Sequence, residues 1–289
     1  MIIDEQITVI TVAYRSGQII PEFLKQFSYA KNIIVVNNSP DDGLEQIVKR
    51  DAPAAEYLGV KNLGFGGGNN AGVDRVKTPY ALMVNPDCSV TESNLEKMFN
   101  TAQAFAGCVV VGPQIRNESG KSQTSYRWDF LSGHAAPNEY FPAEGPCCAM
   151  WLDGSCYLVR VDRFRKMGGF DKLFFMYFEE DDLGLRARKN DFSLIHEPDA
   201  YAMHKGNSSS APSLTVDFRK KYFLAKSRIN LIFRYKGSVS GALLIFRIIV
   251  IAPFAIVFFL CTFQQARLLK WTARLLAAIT PSQSNLLKS

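Results

Sequence analysis

The residues best equipped for chemistry are four consecutive carboxylates, Glu179, Glu180, Asp181 and Asp182. Four acids in a row repel one another unless some are solvated, protonated or paired with a cation. They open a helical stretch that runs to Lys189, where the helix dipole favours negative charge. The aromatic run Phe174 to Phe178 just before them supplies a partly dry setting, in which a carboxylate pKa rises. One of these acids is a candidate general base for taking a proton from a hydroxyl; the plainer reading is a solvated helix start. A second constellation is Asn85-Pro86-Asp87 after an apolar run. A carboxylate at a strand end suits Mg²⁺ or Mn²⁺ bridging a diphosphate, or else a helix cap shared with Ser89, Thr91 and Ser93. His204 follows another strand pattern; as a single histidine it reads first as a structural hydrogen-bonding residue, as do His134 and His196.

These groups need a scaffold, and the apolar runs supply one. Residues 7–13, 32–36 and 80–84 are short, rich in β-branched or apolar side chains, and the size of buried parallel strands. A weaker run covers 55–60, and helical spacing fills 21–29 and 44–50. Strand and helix alternate in the rhythm of a parallel α/β sheet, whose ligands bind at the carboxyl ends of strands. The polar clusters 37–43 and 85–87 fall at such ends. Residues 62–72 read as a glycine-rich loop leading into a helix towards Val76. Gly66 to Ala71 fits GxGxxA, but it follows the third strand and not the first, which disfavours a dinucleotide-dependent oxidoreductase. Two uses survive: backbone amides for an anion, or a close helix–sheet contact. Residues 117–147 read as a long loop, Trp151–Val161 as a strand, 193–196 and 200–204 as the last strands, and 206–213 as a small polar loop.

The chain of 289 residues has a net charge of +6, but the charge is divided. All 27 acids lie in residues 1–217, while residues 218–289 hold 12 basic residues and no acid. An acidic body with a basic tail is not the pattern of a nucleic-acid binder. The six cysteines form no CxxC pair, which points to a reduced, cytosol-facing protein without structural zinc. The N-terminal residues show no signal-peptide pattern. In the tail, Phe218, Tyr222, Ala225, Ile229 and Ile232 form an apolar stripe beside basic residues, the mark of a basic amphipathic helix over 214–236. Residues 237–263 are almost wholly apolar, interrupted by Arg247 and Pro253, and long enough to cross a bilayer. A second basic amphipathic helix and tail fill 264–289. Basic residues on both flanks leave a single crossing without an orientation. A re-entrant or in-plane helix pair satisfies both flanks, with a true span and a buried core helix as the alternatives.

In combination these motifs resemble the inverting glycosyltransferases of family 2, and within them the bacterial rhamnosyltransferase-like branch that works on polysaccharide and O-antigen precursors. The resemblance spans roughly residues 5–236. Thr8 to Arg15 is similar to the opening strand of that family, Val35 to Ser39 to its base-recognising turn, and Asn62 to Phe65 with Asn69 to Gly72 to its glycine segment. Asn85-Pro86-Asp87 stands in the place of its DxD, Trp151 to Gly154 and Gly168 to Asp171 resemble its acceptor side, and Phe178 to Arg186 resembles the stretch holding the base. The resemblance implies a GT-A fold over residues 1–213, an α/β domain with a central, mostly parallel sheet, followed by C-terminal membrane-associated helices. It implies Asp87 and His204 as ligands of Mg²⁺ or Mn²⁺, and Asn37, Asn38, Asn62, Gly64, Phe65, Asn69, Asn70 and Asn85 as the nucleotide-sugar side. Trp151, Asp153 and Gly154 become the acceptor side. Glu180 aligns with the base and Asp182 with an acid that orients the acceptor, while Glu179, Glu180 and Asp182 all remain in competition for the base role. Asn37 replaces a family Asp and so loses a charge.

The expected activity is transfer of a sugar, dTDP-rhamnose being the favoured donor, to a lipid-linked saccharide acceptor at the cytoplasmic face of the bacterial inner membrane. Galactofuranose, glucose or N-acetylhexosamine are the alternative sugars, and a non-catalytic nucleotide-sugar binder is the rival class. Oligomeric state is not legible from the residues.

Overall fold

The computed structural model describes residues 5–39, 42–128, 143–206 and 213–281. The chain divides into two compact units, one of residues 1–170 and 180–209, the other of residues 171–179 and 210–289. The expected loops at 117–147 and 206–213 lie outside the described residues from 129 to 142 and from 207 to 212, as do His134 and the tail beyond residue 281.

The first unit holds eleven strands among the described residues: β1 (Ile7–Ala13), β2 (Ile33–Asn37), β3 (Glu56–Gly59), β4 (Tyr80–Val84), β5 (Cys88–Ser89), β6 (Cys108–Arg116), β7 (Tyr126–Arg127), β8 (Cys147–Ala149), β9 (Trp151–Leu152), β10 (Cys156–Arg160) and β11 (Ser193–His204). The main sheet runs β3-β2-β1-β4-β10-β6-β11-β5, with β8 added on β11, while β7 and β9 pair separately. Strands β1 to β4 are parallel, as are β6 and β11. β10 runs antiparallel between β4 and β6. The sheet is therefore mixed, with its parallel half at the N-terminal side.

Alternation along the strands sends side chains to both faces. Val9, Val35, Leu82 and Leu158 join Phe23, Phe27 and Leu95 on one face. Ile10, Val36, Met83 and Val159 join Val73, Phe164 and Leu183 on the other. Helices α1 (Ile20–Gln26), α2 (Leu44–Asp51), α3 (Gly64–Val73), α4 (Glu92–Ala104), α5 (Val161–Lys166) and α6 (Glu179–Lys189) supply those partners, save that α6 begins one residue before the first unit resumes.

Local readings differ from the sequence expectation at four places, and the first is 151–161, which is not one strand but β9 and β10 with a turn at 153–155. The glycine-rich stretch is itself helix from Gly64 to Val73 and not a loop. Its glycines serve close packing: a Cβ on Gly68 would lie 2.6 Å from Val12 Cγ1, and one on Gly72 would lie 2.6 Å from Ile10 Cγ2. β6 carries no chemistry-bearing motif and has no counterpart among the expected strands. Of the cap candidates Asp87, Ser89, Thr91 and Ser93, Thr91 is the one that starts α4, its Oγ1 accepting the Asn94 N–H, with Leu95, Met98, Phe99 and Ala102 buried behind it. Residues 193–204 form one strand, not two, with an irregularity between Glu197 and Tyr201.

The second unit is helical. α7 (Leu214–Cys261) begins on Ser213, whose Oγ accepts the Val216 N–H, and breaks at Gly237, where φ is 86°. Past the break, Gly241 lies against the Phe233 ring with no room for a Cβ. α8 (Gln265–Ile279) returns along α7, and its end is tied back by Lys226 Nζ donating to the carbonyls of Ala277 (3.0 Å) and Thr280, and by a Tyr222–Thr280 hydroxyl contact of 3.0 Å. Residues 171–179 join these helices through Asn230 Nδ2 donating to Leu173 O and Ser227 Oγ to Met176 O. α7 is the one described helix long and apolar enough to cross a membrane, and only 11% of its most apolar window is buried. That exposure, with Phe254 77% and Phe263 93% exposed, fits membrane association and not a core helix.

The close approach of α3 to β1 makes a direct test. Gly72→Ala is expected to cost about 1–3 kcal/mol in chemical denaturation, because Ile10 and Val36 must move. Gly145→Ala, with open space around its Cβ, is expected to change stability little.

Candidate active site

The antiparallel β4–β10 ladder brings two loops together. β4 ends at Val84 opposite Cys156, and the Asn85 N–H donates to Ser155 O at 2.9 Å. Asn85-Pro86-Asp87 therefore lies beside Asp153-Gly154-Ser155. β5 follows at once and pairs with the end of β11, setting His204 opposite Cys88. His204 Nε2 and Asp87 Oδ1 are 3.3 Å apart. That hydrogen bond raises the His204 pKa, burial works against it, and the charge of Asp153 adds to the rise.

Glu180 enters the same place from α6. A Cβ on Gly154 would collide with its Oε1, so a larger residue there would displace the carboxylate. Gly184, one turn along, likewise lies against the Met150 carbonyl. Burial, followed by the charges of Asp181 and Asp153, pushes the Glu180 pKa up to about 8, while a backbone hydrogen bond and Arg127 oppose the rise. A carboxylate held there is a stronger base than a solvated one.

The other acids separate by partner. Asp181 pairs with Arg127 at 3.3 Å. Burial raises its pKa against the pull of Arg127. Asp182 is fully buried and accepts from Arg186 Nε at 2.7 Å, and Arg186 donates on to Met167 O. Its carboxylate thus braces α6 from within. Glu179 is buried and groups with the second unit. Trp151 is half-buried beneath the Arg127 guanidinium, 4.2 Å from its ring centre. Asp153 Oδ1 accepts the Ser155 N–H and holds the turn. Arg127 had no signal in the sequence: it stands in an irregular stretch and reaches Asp181 and Trp151 only because β7 pairs with β9.

Of the asparagines expected on the nucleotide-sugar side, Asn37 and Asn38 stand at the end of β2, Asn62 follows β3, Asn69 and Asn70 lie within α3, and Asn85 follows β4. Asn37 is fully buried and donates to Ser39 O, Asp42 Oδ1 and Tyr57 Oη. Asn38 donates to Gly64 O, and Asn62 Oδ1 accepts the Gly64 N–H. Asn69 donates to Phe65 O, whose ring packs near Phe170. Asn70 grips Phe170 by both its carbonyl (2.7 Å) and its N–H (2.9 Å). These side chains shape the loops around a ligand site.

Asp87 and His204 form an oxygen–nitrogen pair suited to Mg²⁺ or Mn²⁺. Magnesium sites commonly take one or two ligands from the protein and the rest from substrate phosphates and water. No group of three or more His, Cys, Asp or Glu assembles among the described residues, so such a site would rely on a bound diphosphate for further oxygens.

The site thus joins a high-pKa carboxylate and an Asp–His pair at the strand ends of an open α/β sheet. Two solved structures share that fold. GalNAc-T7 with UDP, GalNAc and Mn²⁺ matches with a TM-score of 0.55 at 13% identity over 78% of this chain and 50% of that one. Staphylococcus aureus TarS matches at 0.55 and 15% identity over 88% and 43%. The chain spans half or less of those solved chains, and the architecture is GT-A. The model of glycosyl transferase family 2 matches residues 8–154, just over half the sequence, and the chain belongs to that family. It is similar to the N-acetylglucosaminyl-diphospho-decaprenol L-rhamnosyltransferase of Mycobacterium tuberculosis, 26% identical over 76% of this chain and 84% of that protein. It is 28% identical to the rhamnosyltransferase WbbL of Escherichia coli over 68% and 83%. It is 24% identical to the low-salt glycan biosynthesis hexosyltransferase Agl10 of Haloferax volcanii over 77% and 76%. The rhamnosyltransferase-like resemblance is thereby upheld.

Glu180 also makes a stability prediction. Its pKa of about 8 in the fold exceeds the ordinary 4.5, so between these values the folded chain binds more protons than the unfolded one. Stability from this group then falls as pH rises through that window. Glu180→Gln is expected to raise the melting temperature over wild type by a margin that grows from pH 5 to pH 8 and levels above. A margin independent of pH would show that Glu180 is not held as described.

Proposed function

We propose that this glycosyltransferase moves L-rhamnose from dTDP-rhamnose to a polyprenyl-diphosphate-linked saccharide, with inversion, in the biosynthesis of a cell-surface polysaccharide such as O-antigen. The observation that carries the reading is the placement of Glu180 against Gly154, beside the loop of Asp87 and the end of β11. The names of the relatives from M. tuberculosis and E. coli support the rhamnosyl donor and a lipid-diphosphate acceptor.

Glu180 takes the proton of the acceptor hydroxyl as that oxygen attacks the anomeric carbon. The bond from that carbon to the diphosphate breaks, and the nucleoside diphosphate leaves with the electron pair. One displacement inverts the centre, and the proton remains on Glu180 until solvent removes it. Asp87 and His204 would hold Mg²⁺ or Mn²⁺, which when bound offsets the charge of the leaving diphosphate. Gly154 positions Glu180, Asp153 keeps the turn closed, and Arg127 orients the Trp151 ring on the acceptor side. Asp182 supports α6 and leaves Glu180 as base. The α7–α8 hairpin supports attachment at the cytoplasmic face of the bacterial inner membrane, in plane or re-entrant, because α8 returns towards the start of α7.

Transfer from labelled dTDP-rhamnose to a polyprenyl-diphospho-N-acetylglucosamine tests the reading; transfer from UDP-galactofuranose or UDP-glucose alone would replace the donor. Glu180→Gln is expected to lower turnover by about 10²–10⁴ with donor affinity retained. In the wild type, turnover should rise with pH and level off above about 8, the value at which Glu180 loses its proton. Gly154→Ala is expected to reduce kcat at least about tenfold without unfolding the chain, by displacing the carboxylate. Asp87→Ala should remove the metal dependence of donor binding measured by calorimetry.

A further inference from the structure

Residues of the second unit line a cavity of about 710 Å³. One wall is apolar, formed by Leu244, Ile248 and Ile251 from the second half of α7. The others bring four cations together: Arg228 from the first half of α7, Arg247 from the second, and Lys270 and Arg274 from α8. Lys221, also in the lining, is matched by Asp217, whereas none of the four pairs with a carboxylate among the described residues. No acid follows Asp217 in the sequence, and of the unit's other two acids, Asp171 and Glu179, Asp171 pairs with Arg234. The crowding is felt: burial first, and the charge of Arg228 second, lower the Arg274 pKa. Four unmatched cations gathered at one cavity raise a field that favours a multiply charged anion.

The apolar wall decides what kind of anion. The same helical half carries the exposed Phe246, Phe254, Val257 and Phe258, so a chain lying along Leu244 to Ile251 continues on an apolar surface. The ligand is therefore an amphiphile, with an anionic head among the arginines and a hydrocarbon tail along α7. Phe178, which lines the cavity, stands two residues before Glu180 in the sequence.

We propose that this cavity receives the diphosphate and the first isoprene units of the lipid-linked acceptor, an assignment that rests on the function proposed above. Four unmatched cations suit a diphosphate better than the single phosphodiester of a phosphatidylglycerol head. Arg247, costly within an apolar helix, gains a reason for its place.

The test is calorimetric titration of the full chain in detergent with farnesyl diphosphate, with inorganic diphosphate and phosphatidylglycerol vesicles as separate probes. Farnesyl diphosphate is expected to bind at least about tenfold tighter than inorganic diphosphate, since the tail adds buried apolar area. Arg228→Gln with Arg274→Gln should weaken it at least about tenfold with the unfolding midpoint unchanged. Leu244→Trp fills the apolar wall without altering charge; it should weaken farnesyl diphosphate and leave inorganic diphosphate unaffected. Equal binding by wild type and both variants overturns the assignment. An equal loss of vesicle binding in the arginine variant overturns it too, and makes the cavity a site for bulk anionic lipid. These are binding readouts. A chain that binds farnesyl diphosphate as stated but transfers no sugar refutes the proposed function and leaves the cavity assignment standing.

Discussion

The catalytic side of the molecule depends on how closely α6 can approach the segment from Met150 to Gly154. Two glycines, one on each partner, allow that approach: Gly184 meets the Met150 carbonyl, and Gly154 gives way to Glu180. A side chain at Gly184 would hold the helix off the Met150 carbonyl, and one at Gly154 would displace the Glu180 carboxylate. With the helix seated, Glu180 loses water and its pKa rises, Asp181 reaches Arg127, and Asp182 turns into the core to meet Arg186. Three neighbouring acids acquire three different fates from one packing contact. The cost of burying carboxylates is offset where cations stand ready, and Glu180, with the weakest compensation, has its pKa raised.

The sheet sets what that base faces. Because β10 runs against β4, the end of one strand and the start of the other share an edge, and the turn at Asp153 lies beside Asp87. β11 then delivers His204 through its short pairing with β5. None of these contacts is local in sequence; each follows from strand order. The asparagines around the β2 and β3 ends do a different job. Asn37 and Asn38 spend their amides on Ser39 O and Gly64 O, carbonyls that would otherwise lack a partner, and Asn70 of α3 does the same for Phe170.

The helical unit separates charge from apolar surface along one hairpin. The break at Gly237 lets α7 fold over, and Gly241 lets the two halves close upon Phe233. Lys226 caps the end of α8 through two carbonyls, which turns the pair into one piece. Basic residues spaced along three helical stretches then converge on one cavity, while the outward face stays apolar. The uneven charge of the sequence is thus a spatial division between a carboxylate site and a cationic one.

Much of this was legible beforehand. β1, β2, β4 and α2 stand within a residue of their expected places because buried parallel strands are short and uniformly apolar, and α2 keeps helical spacing. The Glu179 to Asp182 cluster marked its helix start, and the apolar run at 239–263 marked the membrane-facing helix. β6 has no reactive motif to mark it, whereas Thr91, among the cap candidates of the sequence, marks the start of α4. The glycine segment reads as a loop because glycine weakens helices in isolation, whereas close contact with Ile10 and Val12 repays it here. The sequence by itself determined the fold class, the family resemblance and the list of acids, since these rest on periodicity and residue type. Only the tertiary structure decided which acid meets which cation, that Arg127 reaches Asp181 and Trp151, and that four distant cations share a cavity. Those outcomes depend on distances between residues far apart in the chain, and local pattern carries no information about them.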